Sequence, residues 1–121
     1  MNTPKISVLT PIYNTNPDYL RAWIESILSQ TYTDFEFIIL NDSPENQELG
    51  KIVQSYQDAR IRYVENKYNM GISASRNKLI DLSRGQYLAI FDHDDISHST
   101  RLAQQVKYLD ENPYVGVVGA W

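Results

Sequence analysis

Phe35-Glu36-Phe37-Ile38-Ile39-Leu40 runs straight into Asn41-Asp42-Ser43-Pro44. After Glu36 the stretch is continuously apolar, with no alternation. That is the pattern of a strand buried on both faces. Similar runs occur at Ile6 to Leu9, ended by Pro11, and at Tyr87 to Phe91, opened by Gly85. Ile61, Tyr63 and Val64 mark a weaker strand, and Val115, Val117 and Val118 begin a last one. Between the strands the apolar spacing becomes helical. Leu20, Trp23, Ile24, Ile27 and Leu28 form one helical face. Its start, Asn16-Pro17-Asp18, offers a cap, a proline at the first helical position and an acid at the positive dipole end. Leu49, Ile52, Val53 and Tyr56 form a second face, weakened by Gly50. Ile72, Leu79 and Ile80 mark a third helix; Leu102, Val106 and Leu109 mark a fourth, stopped before Pro113. Strand and helix alternate, and a strand closes the series. The order implies an α/β fold: a Rossmann-like parallel sheet with helices on both faces, wound by right-handed crossovers.

At 121 residues the expectation is a single domain over residues 1–121. The lack of cysteine excludes a disulfide framework, a thiol nucleophile and a CxxC redox motif. A net charge of −4 argues against nucleic acid as a partner, since phosphate backbones need clustered Lys and Arg. No apolar run approaches the roughly 18 residues of a membrane span. Met1 to Lys5 lacks the apolar core of a signal peptide. The expectation is a soluble cytoplasmic protein, at most peripheral to the inner face of the membrane.

Open parallel sheets bind ligands beyond the carboxyl ends of their strands. Unusual polar residues stand at each such end here. Pro11, Tyr13 and Asn14 follow the first strand, and Asn41 and Asp42 the second. Asn66, Asn69 and Gly71 follow the third and lead to Arg76. Asp92-His93-Asp94-Asp95 follows the fourth. Clustered acids repel one another, so a hard divalent ion shared with a substrate diphosphate is their natural partner. The plainer alternative is a solvated acidic turn capping the next helix. A zinc site using His93 and His98 matches no standard spacing. Tyr13 either stacks on a planar base or packs as an ordinary tyrosine. Asp42 either accepts a hydrogen bond from a base or ribose, or serves as a turn acid before Ser43-Pro44. Arg76 either meets phosphate or base oxygens or forms a surface salt bridge. Gly71 either lets the backbone approach a ligand or permits an unusual turn. No GxxxxGK[ST] or GxGxxG occurs, so phosphates fall to metal and side chains.

Together these segments resemble the inverting glycosyltransferases of family 2, with the GT-A fold, over nearly the whole chain. Ser7 to Asn14 is similar to the family's opening strand and its Pro-x-Tyr-Asn turn. Ser26-Ile27-Leu28-Ser29-Gln30-Thr31-Tyr32 resembles its Ser-Ile-Leu-x-Gln-Thr-Tyr segment. Phe35 to Ser43 resembles its second strand and Asp-Asp-Gly-Ser loop. Asn69 to Asn77 resembles Asn-x-Gly-x-x-x-Ala-Arg-Asn, and Gly85 to Asp95 ends in the Asp-x-Asp-Asp pattern. The resemblance implies a nucleotide-sugar site of Pro11, Tyr13, Asp42, Asn69, Gly71, Arg76, Asp92 and Asp94. It implies Mn²⁺ or Mg²⁺ on Asp95 and Asp94. The implied donor is a UDP-, dTDP- or GDP-linked sugar; the acceptor is a glycan or lipid-linked glycan, in polysaccharide assembly. Asn41 departs from the family's paired acids, Ser43-Pro44 from Gly-Ser, and Ser75 from the Ala before Arg76.

The family's catalytic base lies well downstream of its Asp-x-Asp-Asp motif, and no residue here matches it. The expectation is therefore a donor-binding half that stops in or just after the fifth strand, with an exposed sheet edge and apolar patch favouring self-association. Two other readings stand beside it: a nucleotide- and metal-binding fragment without transferase activity, and a nucleotidyltransferase on a similar sheet.

Overall fold

Every residue from Ile6 to Ile12 and from Phe35 to Asn41 is buried, as strands covered on both faces must be. In the computed structural model, which describes residues 4–91, 101–111 and 117–120, these are strands β1 (Ile6–Ile12) and β2 (Phe35–Asn41). The other strands are β3 (Ile61–Glu65), β4 (Tyr87–Phe91) and β5 (Val117–Ala120). Between them run helices α1 (Pro17–Leu28), α2 (Gln47–Ser55), α3 (Ile72–Leu82) and α4 (Arg101–Glu111). The strands form one parallel sheet in the order β3-β2-β1-β4-β5. The expected Rossmann-like α/β architecture is present. Strand order reverses between β1 and β4, where open sheets form a ligand crevice.

Two apolar layers hold the sheet. On one face Ile6, Val8 and Ile12 join Phe37 and Ile39 beneath α1 and α2. Trp23 lies at its centre, edge-on to Phe37 with ring centroids 6.4 Å apart. Its indole N–H donates to Thr10 Oγ1 at 3.1 Å, so the one polar atom of the ring is satisfied within the core. Val106 of α4 joins this layer. On the other face Leu9, Ile38 and Leu40 meet Leu79 of α3, flanked by Leu82, Leu88 and Ile90. Helix α1 begins as its sequence dictates: Asn16 Oδ1 accepts from the N–H groups of Asp18 and Tyr19, and Pro17 needs no donor there.

The structure revises the sequence reading in several places. Strand β1 does not end before Pro11 but runs through it to Ile12, paired with β2 along its whole length. Pairing with β4 covers only Ile6 to Leu9. The carbonyl of Ile12 accepts from Asp42 of the β2 side. Backbone groups alternate sides along a strand, so Pro11 turns its missing N–H toward the β4 side, past the paired residues. Gly50 is a fitting residue in α2 and not merely a weak one: a Cβ there would stand 2.8 Å from the Tyr63 hydroxyl. On α3, Ser75 and Leu79 are buried, whereas Ile72 is 54% and Ile80 40% exposed. The stripe facing the sheet runs Ser75–Leu79–Leu82, and Ile72 instead faces the pocket described below. Strand β5 begins at Val117; Val115 lies outside the described residues.

A buried carboxylate ties the amino ends of the strands together. Glu36 accepts from Ser7 Oγ at 2.5 Å, from the N–H of Arg84 at 2.5 Å and from Arg62 Nη1 at 2.8 Å. Arg84 Nε adds an ion pair at 3.7 Å. Gly85 donates its N–H to Ser7 Oγ at 2.7 Å, and a Cβ there would strike the Ser7 backbone at 2.5 Å. Burial pushes the Glu36 carboxyl upward, but the hydrogen bonds from Ser7, Arg84 and Arg62 outweigh it and hold the group below its ordinary value.

Candidate functional site

The loops at the carboxyl ends of β1, β2 and β3 meet around a cavity of about 340 Å³. Its lining residues are Pro11, Ile12, Tyr13, Asp42, Asn69, Gly71, Ile72 and Ser75. A concave, largely apolar wall with a few fixed polar groups is the usual form of a small-molecule site.

Asp42 organises this region. It follows β2 directly and is buried. Its Oδ1 accepts from Asn66 Nδ2 at 2.8 Å and from the Met70 N–H at 2.7 Å. Its Oδ2 accepts from Asn69 Nδ2 at 3.1 Å and from the Gly71 N–H at 2.9 Å. These bonds occupy the roughly four lone-pair sites a carboxylate offers. Asp42 therefore fixes the third loop in space. Asn66 carries the tie inward: Nδ2 also donates to Ser75 Oγ at 3.1 Å, and Oδ1 accepts from Lys78 Nζ at 3.1 Å.

Gly71 caps α3 at φ 88° and ψ 165°, a region that only glycine occupies without strain. This conformation aims its N–H at Asp42, so the glycine permits an unusual turn that the carboxylate holds. Tyr13 lies in the turn after β1 and is 53% exposed. That separates it from core tyrosines and leaves its ring face available. The next residue, Asn14, has a positive φ of 45°, which asparagine tolerates better than most residues.

Beside the pocket, Asn41 stands where the family pattern has an acid. Its Nδ2 donates to Tyr63 Oη at 3.1 Å, and Tyr63 donates to Glu65 Oε2 at 2.7 Å. Burial, then the Glu65 bond, push the Tyr63 hydroxyl up to about 12, so it remains a donor at neutral pH.

Of the residues singled out in the sequence, Pro11, Tyr13, Asp42, Asn69 and Gly71 come together on one pocket. Arg76 lies on α3, half-buried, and is not among the pocket's lining residues. Asp92, Asp94 and Asp95, with His93 and His98, lie outside the described residues. Among the described residues no three His, Asp or Glu side chains meet as metal ligands. Strand β4 ends at Phe91, at the same edge as the pocket, immediately before Asp92. Sequence reasoning missed Ile12, Ile72 and Ser75 as lining residues. Ser75 reads as a mild replacement for alanine, yet its hydroxyl receives Asn66 within the wall. No helix among the described residues is long and apolar enough to cross a membrane.

The sequence and the fold are similar to those of known proteins. The sequence pattern of the family described as "Glycosyl transferase family 2" matches residues 7–121, and the chain belongs to that family. An uncharacterized glycosyltransferase of Methanocaldococcus jannaschii is 42% identical over all of this chain and 42% of its own length. The Escherichia coli UDP-Glc:alpha-D-GlcNAc-diphosphoundecaprenol beta-1,3-glucosyltransferase WfaP is 32% identical over 87% of this chain and 41% of its own length. The chain thus spans about two fifths of these two relatives. Among solved structures, TarS of S. aureus in complex with UDP-GlcNAc superposes with a TM-score of 0.79 at 25% identity, over 88% of this chain and 31% of that one. Its complex with UDP gives the same TM-score of 0.79. The GT-A fold expected from the motifs is therefore the fold observed.

Proposed function

We propose that this chain binds the nucleoside-diphosphate sugar donor of a metal-dependent, inverting glycosyltransferase. The observation that carries the reading is the pocket at the carboxyl edge, where Tyr13, Asp42, Asn69 and Gly71 from three loops line one cavity. The UDP-GlcNAc bound to the structurally similar S. aureus protein supports it.

In this reading Tyr13 offers its exposed ring face to the nucleobase, with Pro11 as floor. Asp42 is a binding residue chiefly because it sets the wall: its carboxylate takes the Asn69 amide and the Gly71 N–H and so holds in place the loop that lines the donor pocket. Arg76, on α3 but outside the pocket lining, meets the diphosphate, and Asp92 and Asp94 meet base and ribose. Asp95, with Asp94, holds Mn²⁺ or Mg²⁺; carboxylate oxygens are the hard ligands such ions take. When bound, the ion offsets charge on the diphosphate leaving group. The general base that takes the acceptor hydroxyl proton is assigned to no residue of this chain. The acceptor class is a glycan or lipid-linked glycan, the latter as named for the E. coli relative. A lipid-linked acceptor would bring the protein to the cytoplasmic face of a membrane.

The test is calorimetry with UDP, dTDP and GDP, each with and without Mn²⁺, followed by product analysis with the donor that binds. Sugar transfer releases nucleoside diphosphate, and pyrophosphate instead would mean nucleotidyl transfer. Asp95→Ala is expected to abolish the Mn²⁺-dependent part of nucleotide affinity. Unchanged affinity in that variant would remove the metal assignment.

A further inference from the structure

The turn that carries Tyr13 is gripped by a residue outside the pocket lining. The N–H of Asn14 donates to Ser43 Oγ at 3.0 Å. The Ser43 hydroxyl in turn donates to Asn41 Oδ1 at 2.6 Å, and the Ser43 N–H donates to the same oxygen at 2.9 Å. Asn41 cannot turn its amide over without loss, because its Nδ2 donates to Tyr63 Oη at 3.1 Å. From the far side, Asn46 Nδ2 donates to Asn14 Oδ1 at 3.3 Å. Asn41 and Ser43 are fully buried, so this relay lies in a rigid part of the fold. At its end is a backbone in the left-handed region at Asn14 and, one residue earlier, the half-exposed ring of Tyr13.

We propose that Ser43 is a positioning residue for nucleotide binding, its hydroxyl holding the Tyr13–Asn14 turn so that the Tyr13 ring stands at the pocket mouth. The Asp-Asp-Gly-Ser pattern that this loop resembles has glycine where Ser43 stands, and glycine has no hydroxyl to reach Asn14. Asn41 and Ser43 then act as one paired device. Asn41 supplies the acceptor that orients the Ser43 hydroxyl and the donor that anchors it to β3 through Tyr63. Pre-setting an aromatic in this way lowers the ordering cost of binding.

The inference rests on Tyr13 contacting the nucleotide, and a double-mutant cycle separates the two claims. UDP affinity in the presence of Mn²⁺ is measured by calorimetry on the intact protein and on Ser43→Ala, Tyr13→Ala and the double variant. Ser43→Ala is expected to weaken UDP about fivefold, the scale of one lost hydrogen bond. In the Tyr13→Ala background it is expected to have no further effect. Hydrogen exchange of the Asn14 amide should quicken in Ser43→Ala, a readout independent of ligand. Ser43→Gly, the residue of the family pattern, should behave alike and serves if alanine does not fold. Weakened binding in Tyr13→Ala with unchanged binding in Ser43→Ala overturns this inference alone, as do losses that simply multiply in the double variant. Unchanged binding in Tyr13→Ala overturns the base-stacking role and this inference together.

Discussion

The sheet carries a buried carboxylate near each end, and the two are satisfied in different ways. At the amino ends, Glu36 receives a hydroxyl, a backbone N–H and the guanidinium groups of Arg62 and Arg84. At the carboxyl ends, the donors to the Asp42 carboxylate are all neutral: two side-chain amides and two backbone N–H groups. Arginine neutralises the first charge. Amides merely solvate the second, and in doing so they shape a loop. The partners of Glu36 tie β1, β2, β3 and the loop before β4 into one body. Those of Asp42 lie mostly on one segment, Asn66 to Gly71, which is the wall of the pocket. One carboxylate therefore serves the fold and the other the site.

Breaking Asp42 should have the largest effect. Asp42→Ala removes four hydrogen bonds to a charged group, one buried and three part-buried, and such bonds contribute on the order of 1.5–3 kcal/mol each. UDP affinity is expected to fall by more than about a hundredfold, as 1.4 kcal/mol is tenfold. Calorimetry checks this, with circular dichroism showing that the sheet persists. A variant that keeps its UDP affinity would mean that Asp42 is only a turn residue.

The Glu36→Gln variant probes the other pole. It should lower unfolding stability by about 1–3 kcal/mol at neutral pH while leaving UDP affinity unchanged below the melting transition. The pH dependence has a definite sign. Glu36 is held below its ordinary value of 4.5, so its contribution is complete above that value. It is lost as pH falls through the lower folded value. The stability gap between wild type and Glu36→Gln should thus close in acid, as denaturant titrations at several pH values would show. A gap that is constant with pH would assign the loss to packing.

Tyr13→Ala should give the sharpest contrast between binding and stability. It is expected to weaken UDP by about 1–3 kcal/mol, the scale of base stacking on an aromatic, with little change in melting temperature. A tyrosine remote from the pocket, Tyr108, is the control, being likewise exposed. Equal losses in the two variants would return Tyr13 to the role of a packing residue.

Much of this was legible in the sequence, for physical reasons. Strands β1 and β2 announce themselves because burial on both faces leaves little room for polar residues, and α1 declares its start through Asn16 and Pro17. Asn69 and Gly71 could be placed on a common edge with Tyr13 because parallel strands deliver their carboxyl ends together. What stayed hidden depends on distant pairing. Glu36 reads as an interruption in an apolar run, since its partners Ser7, Arg62 and Arg84 are 29, 26 and 48 residues away. The saturation of Asp42 is hidden likewise, its donors lying 24 to 29 residues on. Helix α3 misleads a periodicity reading because Ile72 faces a cavity and not the core.

The central claim is that the edge organised by Asp42 receives the nucleotide of a sugar donor. Calorimetric titration of the wild-type protein and of Asp42→Ala with UDP, dTDP and GDP in Mn²⁺ tests it most directly. Saturable binding of at least one of these nucleotides to the wild type, lost in the variant, is the predicted result. Absence of binding to the folded wild type, or equal binding to the folded variant, would contradict it.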